Sequence, residues 1–220
     1  MLDFALLRKT MVESQVRTNE VTDRRVLRAM LDLPRERFVP AGLDGLAYSG
    51  DSLPFGTLAP GRSLPAPVVT ARLIQLAGIE AGEQVLEIGC ATGYATALLA
   101  SLAGSVTGLE CDAALAALAR STLSDLGIAN ATVCTGSLAA GAADAAPFDA
   151  IVVSGMLPEV PAAWHGQLRE GGRLVAILAE GPIGRATVFA RQGSGFSRRQ
   201  AFDASAPLLP GFERKPAFSL

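Results

Sequence analysis

Hydrophobic and polar positions change their rhythm near residue 77. Upstream, Leu2, Ala5 and Leu6 with Lys9 suggest one amphipathic helix. Val26, Leu27, Met30 and Leu31 form the apolar stripe of a second, behind Thr22-Asp23-Arg24-Arg25, which is suited to an N-cap. Pro34 and Pro40 end that helical region. Residues 40–67 are rich in Gly and Pro, show no period and read as a long loop, a length that is uncommon unless the loop covers a site. Pro67 to Leu76 resumes a helix, with proline well placed in its first turn. From Gln84 onward, β-forming apolar runs alternate with helical stretches. The pattern predicts strands at 84–88, 105–109, 131–134, 148–153, 173–178 and 186–190, and helices at 93–103, 112–126 and 159–169. Gly171-Gly172 after Gln167-Leu168-Arg169 reads as a helix C-cap feeding a strand, and residues 197–203 add an edge strand. The alternation predicts an α/β fold, a doubly wound and mostly parallel sheet with helices on both faces, behind an N-terminal helical cap. With no internal repeat or low-complexity linker, residues 1–220 read as one domain, 1–76 forming the cap and loop and 77–220 the α/β core.

The densest information lies in Val85-Leu86-Glu87-Ile88-Gly89-Cys90-Ala91-Thr92-Gly93-Tyr94. It reads as a buried strand, a glycine turn and a helix. Gly89 and Gly93 leave the backbone bare at the turn, so that a ligand can approach closely, and the helix start offers unpaired N–H groups. Ala91 stands where the dinucleotide fingerprint G-x-G-x-x-G needs its second glycine, so a nicotinamide cofactor is disfavoured. The next strand, Ser105 to Leu109, ends at Glu110, 21 positions after Gly89. That is close to the ~20-residue offset at which a carboxylate meets ribose hydroxyls in such folds. An ordinary βα turn that binds nothing is the competing reading, and the joint arrival of turn, acid and helix weighs against it.

Composition narrows the field. Half the residues are hydrophobic but only 5% are aromatic, so the core is aliphatic and small-residue. A net charge of −2 gives no electrostatic case for nucleic acid or an anionic membrane, and Arg24-Arg25 and Arg198-Arg199 read as solvated surface. Cys90, Cys111 and Cys134 have no C-x-x-C spacing and His165 is the single histidine, so no metal is expected. The cysteines read as buried filler beside strands, and His165, after Trp164 in a helical segment, as a surface or partly packed residue. Met1 to Gln15 carries Asp3, Arg8, Lys9 and Glu13, unlike a signal peptide. The apolar run from Ala95 to Leu109 is broken by Ser101, Gly104, Ser105, Thr107 and Gly108 and falls short of the ~20 residues of a spanning helix. The expectation is a cytoplasmic chain with reduced thiols.

The E-x-G-x-x-x-G turn with a carboxylate ending the second strand resembles the cofactor site of S-adenosylmethionine-dependent methyltransferases, a Rossmann-like fold. The flanks are more specific. Met11-Val12-Glu13-Ser14-Gln15, Val26-Leu27-Arg28-Ala29-Met30, Pro34-Arg35-Glu36-Arg37-Phe38-Val39-Pro40, Ala47-Tyr48, Leu53-Pro54-Phe55-Gly56, Gln167-Leu168 with Gly171-Gly172-Arg173-Leu174-Val175, and Phe202 with Pro207-Leu208 resemble protein-L-isoaspartate O-methyltransferases over nearly the whole chain. The resemblance implies methyl transfer from S-adenosylmethionine to the α-carboxylate of an isoaspartyl residue in a damaged protein or peptide, the ester then collapsing to a succinimide. It places Glu87, Gly89, Cys90, Gly93, Glu110, Cys111, Ser137 and Leu138 at the cofactor and Ser63 at the substrate carboxylate, with Tyr48 and Asp51 shaping the loop. A helix N-cap before Pro67 is the competing role for Ser63.

The chain departs from the family pattern at three places. The family's Thr-x-Ser signature aligns with Ser63-Leu64-Pro65, and proline has neither hydroxyl nor N–H to offer a substrate carboxylate. Gly136-Ser137-Leu138 stands for the usual Gly-Asp-Gly near the adenine. Arg185 falls where a glutamine near the cofactor is common. Two alternatives therefore stay open: a methyltransferase with a different acceptor, and a catalytically silent binding protein that keeps the fold.

Overall fold

The computed structural model describes residues 2–180, 183–193 and 195–213. A seven-stranded sheet organises the core. Its strands are β3 (Gln84–Ile88), β4 (Ser105–Glu110), β5 (Ala131–Thr135), β6 (Phe148–Leu157), β7 (Leu168–Glu180), β8 (Ile183–Gln192) and β9 (Gly195–Asp203), in spatial order β5-β4-β3-β6-β7-β8-β9. β3 to β7 pair in parallel, while β7–β8 and β8–β9 are antiparallel. The chain winds outward from β3 to β5, then crosses back to lay β6 on the other side of β3. That reversal opens a crevice at the carboxyl ends of β3 and β6, where sheets of this kind bind ligands.

Side-chain alternation along the strands feeds two separate cores. Val85 joins a cluster with Tyr94, Leu98, Val106 and the N-terminal helices, whereas Leu86 and Ile88 point to the other face with Ile151, Trp164, Leu174 and Leu209. Helices α3 (Pro67–Ala77), α4 (Tyr94–Ala100) and α5 (Ala113–Asp125) follow the expected order. Asp112 caps α5 by accepting from the N–H groups of Ala114 and Leu115 at 2.8 and 3.0 Å. Helix α4 stops at Ala100, three residues short of the expected end, because the chain turns at 101–103 to enter β4.

In the cap, α1 (Phe4–Met11) runs into a π turn over Val12–Val16, and α2 (Arg24–Asp32) is capped by Asp23 as expected. The buried face of α1 is not the expected one. Phe4, Leu7 and Met11 face the core, while Ala5 is exposed and Leu2 and Leu6 are 53% and 59% exposed. Both stripes are apolar, and the docking surface decides between them.

Two further expectations are corrected. The loop at 40–67 contains a 3₁₀ turn at Asp44–Leu46 and a small antiparallel ribbon of β1 (Leu53–Pro54) and β2 (Ser63–Leu64). The helix expected at 159–169 shrinks to α6 (Ala162–His165), and Leu168 already pairs with Phe148 as the start of β7. Gly171-Gly172 is therefore no helix cap. It loops out within β7 between the Phe148–Leu168 and Ala150–Arg173 pairs, where a Cβ on Gly172 would meet the Arg169 carbonyl oxygen at 2.8 Å.

Candidate functional site

The turn after β3 hangs on β4. Gly89 and Cys90 donate their N–H groups to the Leu109 carbonyl at 2.8 and 3.1 Å. Gly89, Ala91 and Gly93 all take positive φ (+77°, +50° and +90°), which explains glycine at two of the three positions. The unusual Ala91 is held by its own N–H, which donates to Glu110 Oε2 at 2.8 Å.

Glu110, fully buried at the end of β4, is the hub of the site. Its Oε1 accepts from the N–H groups of Cys111 and Asp112 at 2.9 and 3.1 Å, and its Oε2 accepts also from Arg62 Nη2 at 2.5 Å. The Gly136 N–H donates to the Glu110 carbonyl at 2.9 Å and so brings the Gly136-Ser137-Leu138 turn alongside. Ser137 is exposed there, and Leu138 is buried with its carbonyl accepting from Trp164 Nε1 at 3.0 Å. Cys90 is buried against Gly108, and desolvation with the nearby Glu87 and Glu110 charges pushes its thiol well up, so it is no thiolate nucleophile. Cys111 is exposed, which corrects the expectation of a buried filler. Its thiol too is raised by desolvation and by Glu110.

Glu87, fully buried, accepts from Thr96 Oγ1 and Ser154 Oγ, each at 2.5 Å. Burial pushes its carboxyl up to about 7, against the lowering effect of the two hydroxyls and of Arg62.

The β1–β2 ribbon delivers the loop residues. Arg62 is only 7% exposed, and its Nη2 also lies 3.5 Å from the Gly89 carbonyl oxygen. Ser63 sits next to it on β2, its Oγ buried and without a hydrogen-bond partner among the described residues. Ser63 is not the cap of α3. Ala66 occupies that position, and its N–H donates to Ser52 Oγ at 3.2 Å. The Pro65 carbonyl accepts from Arg35 Nη2 at 2.8 Å, and Arg35 Nε reaches the Ala47 carbonyl at 2.7 Å. Fully buried, Arg35 also lies over the Tyr94 ring, 4.6 Å from its centroid. Tyr48 shapes the loop by donating its hydroxyl to Glu36 and accepting from Arg8 Nε at 3.1 Å; desolvation and Glu36 raise its pKa. Asp51 is exposed. Arg185 lies on β8 in an ion pair with Asp203 at 3.1 Å, placed by the β8–β9 hairpin rather than at the glycine turn. His165 stacks on Phe196 with centroids 4.2 Å apart, a packed residue rather than a base.

Against the expectation of an open hollow over the glycine turn, the chain's own atoms fill it. A Cβ on Gly89 would meet Leu209 Cδ2 at 2.8 Å. Leu209 is clipped there by its N–H to the Met156 carbonyl and by the Met156 N–H to the Pro207 carbonyl, both 2.9 Å. The cavity lined by Leu64, Pro65, Glu87, Gly89, Tyr94 and Ser154 measures about 10 Å³, room for one water. The donor set nevertheless suits an adenosyl cofactor: a bare turn for backbone approach, a buried carboxylate beside it, and two buried polar atoms (Arg62 Nε and Ser63 Oγ) without a partner among the described residues. Among the described residues, no group of three or more His, Cys, Asp or Glu side chains converges as a metal site.

The structure brings the expected turn and both acids together and sets beside them Arg62, Thr96, Ser154 and Leu209, to which the sequence assigned no role. Ser154 was within reach, since it follows a predicted strand whose carboxyl end borders the crevice.

The family profile described as Protein-L-isoaspartate(D-aspartate) O-methyltransferase matches residues 7–201. A protein-L-isoaspartate O-methyltransferase of Koribacter versatilis is 39% identical over 97% of this chain and 96% of its own length. One of Anaeromyxobacter dehalogenans is 45% identical over 73% of this chain and 76% of its own. A solved protein-L-isoaspartate O-methyltransferase superposes with a TM-score of 0.82 at 24% identity, covering 93% of this chain and 66% of that one. A Plasmodium falciparum protein solved in complex with S-adenosyl-L-homocysteine superposes at 0.77 with 20% identity, covering 92% and 97%. These two share the fold. The extent of the sequence identity and of the profile match shows that the chain belongs to the protein-L-isoaspartate O-methyltransferase family.

Proposed function

We propose that this chain is an S-adenosylmethionine-dependent O-methyltransferase acting on the free carboxylate of isoaspartyl residues in damaged proteins and peptides. The observation that carries the reading is Glu110, buried at the end of β4 and aimed at a glycine turn with positive φ on both its glycines, in a chain of this family. The cofactor supplies a methyl group made electrophilic by a sulfonium centre. The chain's part is to bind, align and keep water out. Glu110 receives the ribose hydroxyls. Gly89, Cys90 and Gly93 let the backbone approach the amino-acid tail. Cys111, Ser137 and Leu138 border the adenine, and Glu87 with its two hydroxyl partners lines the floor of the turn beside the sulfonium. Ser63 presents its hydroxyl to the acceptor. The acceptor carboxylate is already ionised near neutral pH, so no base has to take a proton before the new O–CH₃ bond forms and the S–CH₃ bond breaks.

The cap (1–76) and the core (77–220) act as one unit in this reading, joined where Arg35 of the cap lies over the Tyr94 ring of the core and the Thr92 hydroxyl of the core donates to the Phe38 carbonyl of the cap at 2.5 Å. A cytoplasmic location is part of the proposal. Its support is the absence of any membrane-spanning helix among the described residues, and the net charge of −2 favours neither nucleic acid nor an anionic surface. Pro65 favours a second reading, a different acceptor, because it removes the hydroxyl donor that the family pattern places there. The test offers isoaspartyl and normal aspartyl peptides with methyl-labelled cofactor, alongside calorimetry with S-adenosylhomocysteine. Label on the isoaspartyl peptide alone supports the first reading. Label on neither with cofactor product bound supports the second, and no binding refutes both.

A further inference from the structure

Arg62 has no place in the roles given above, yet it occupies the centre of the site. Its guanidinium is nearly buried, spans from the Glu110 carboxylate to the Gly89 carbonyl through Nη2, and leaves its buried Nε–H without a partner among the described residues. Glu110 is fully committed. Three backbone N–H groups, from Ala91, Cys111 and Asp112, hold it in place through the turn. The Arg62 guanidinium, by contrast, rides on a flexible side chain. Ribose hydroxyls that take Oε2 of Glu110 must therefore displace Arg62. A guanidinium keeps its charge, so a buried one left there without a new anion is strongly destabilised. The position lies over Gly89, the part of the turn that faces the cofactor's amino-acid tail, and that tail ends in a carboxylate.

We infer that Arg62 is a carboxylate-binding residue of the loaded site, exchanging Glu110 for the α-carboxylate of the S-adenosylmethionine tail when the ribose takes Glu110. The inference rests on the proposed cofactor. It makes Arg62 both the plug of the closed site and a determinant of which adenosyl compounds enter. The planar fork suits a carboxylate bound through two parallel N–H groups, and the orphaned Nε–H gives it the second donor. Compounds that lack the carboxylate must break the Arg62–Glu110 pair and leave the cation without its replacement anion.

Calorimetry with two probes tests this. S-adenosylhomocysteine carries the tail carboxylate and methylthioadenosine does not. The unmodified chain is expected to prefer S-adenosylhomocysteine. Arg62→Gln is expected to weaken S-adenosylhomocysteine by about 10- to 100-fold, the range for a hydrogen bond to a charged group, and to leave methylthioadenosine unchanged or tighter because no ion pair has to break. Arg62→Lys retains part of the preference. The ratio of the two affinities within one variant is insensitive to a general loss of folded protein. A ratio unchanged by Arg62→Gln, with both probes still bound, overturns the inference and leaves the proposed function standing. If the ratio holds but the variant raises KM for an isoaspartyl peptide, the guanidinium serves the acceptor carboxylate instead, and the assignment to the cofactor tail is wrong. No binding of either probe to the unmodified chain overturns the inference together with the cofactor reading.

Discussion

Replacing Glu87 with Gln should change how stability depends on pH. Burial holds the Glu87 carboxyl at about 7 against an ordinary value of 4.5. The folded chain thus keeps this proton over a range in which the unfolded chain has already lost it. Stability falls as pH rises from about 4.5 to about 7, and above that both states are ionised and the penalty is constant. A separation of roughly two and a half pH units at ~1.4 kcal/mol each gives a penalty of about 3 kcal/mol at pH 8. Glutamine is neutral throughout, and the Thr96 and Ser154 hydroxyls can rotate to serve its amide, one donating and one accepting. Urea unfolding followed through the fluorescence of Trp164, the single tryptophan and a fully buried one, measures the effect at pH 5, 6, 7 and 8. The stability of the variant relative to the parent should climb by up to about 3 kcal/mol across that range. Taking the difference cancels His165 and the surface carboxylates. A difference independent of pH would show that Glu87 is ionised throughout and would refute the assignment of burial as its dominant influence.

Gly89→Ala should cost about 1–2 kcal/mol in urea unfolding because φ is +77°, with more for displacing Leu209, and Gly89→Val should abolish S-adenosylhomocysteine binding in calorimetry. Arg35→Met keeps an unbranched apolar stem but drops the bonds to the Ala47 and Pro65 carbonyls, so the chain should lose about 3 kcal/mol in the same unfolding assay; Arg35→Lys should not recover it, because an ammonium cannot span both. Pro65→Ser should raise turnover of an isoaspartyl peptide several-fold by restoring a hydroxyl donor, and unchanged turnover would remove Pro65 from the account of the substrate loop.

The parts of the fold that the sequence made legible are those whose signal is local. The β3 run, the glycine turn and the acid ending β4 are written within 27 consecutive positions, and the structure brings them together. Where the sequence misled, distant residues decided. The segment at 159–169 has helical spacing, but Leu168 finds Phe148 and becomes strand. On α1 two apolar stripes compete, and packing selects Phe4, Leu7 and Met11. The two-residue strands β1 and β2 are too short to carry a period. Arg62 lies 48 positions from Glu110 in an aperiodic loop, where nothing nearby marks it as a buried cation.

Leu209 closes over Gly89 from 120 positions further along the chain. On a ribosome adding about 5–20 residues each second, those two partners emerge on the order of ten seconds apart. The β3–β4 half of the sheet can form early, but its ligand crevice stays uncapped until the last described stretch has left the exit tunnel. A nascent chain stalled before that point would present the apolar flanks of Trp164 and the turn to solvent, an obvious target for chaperones.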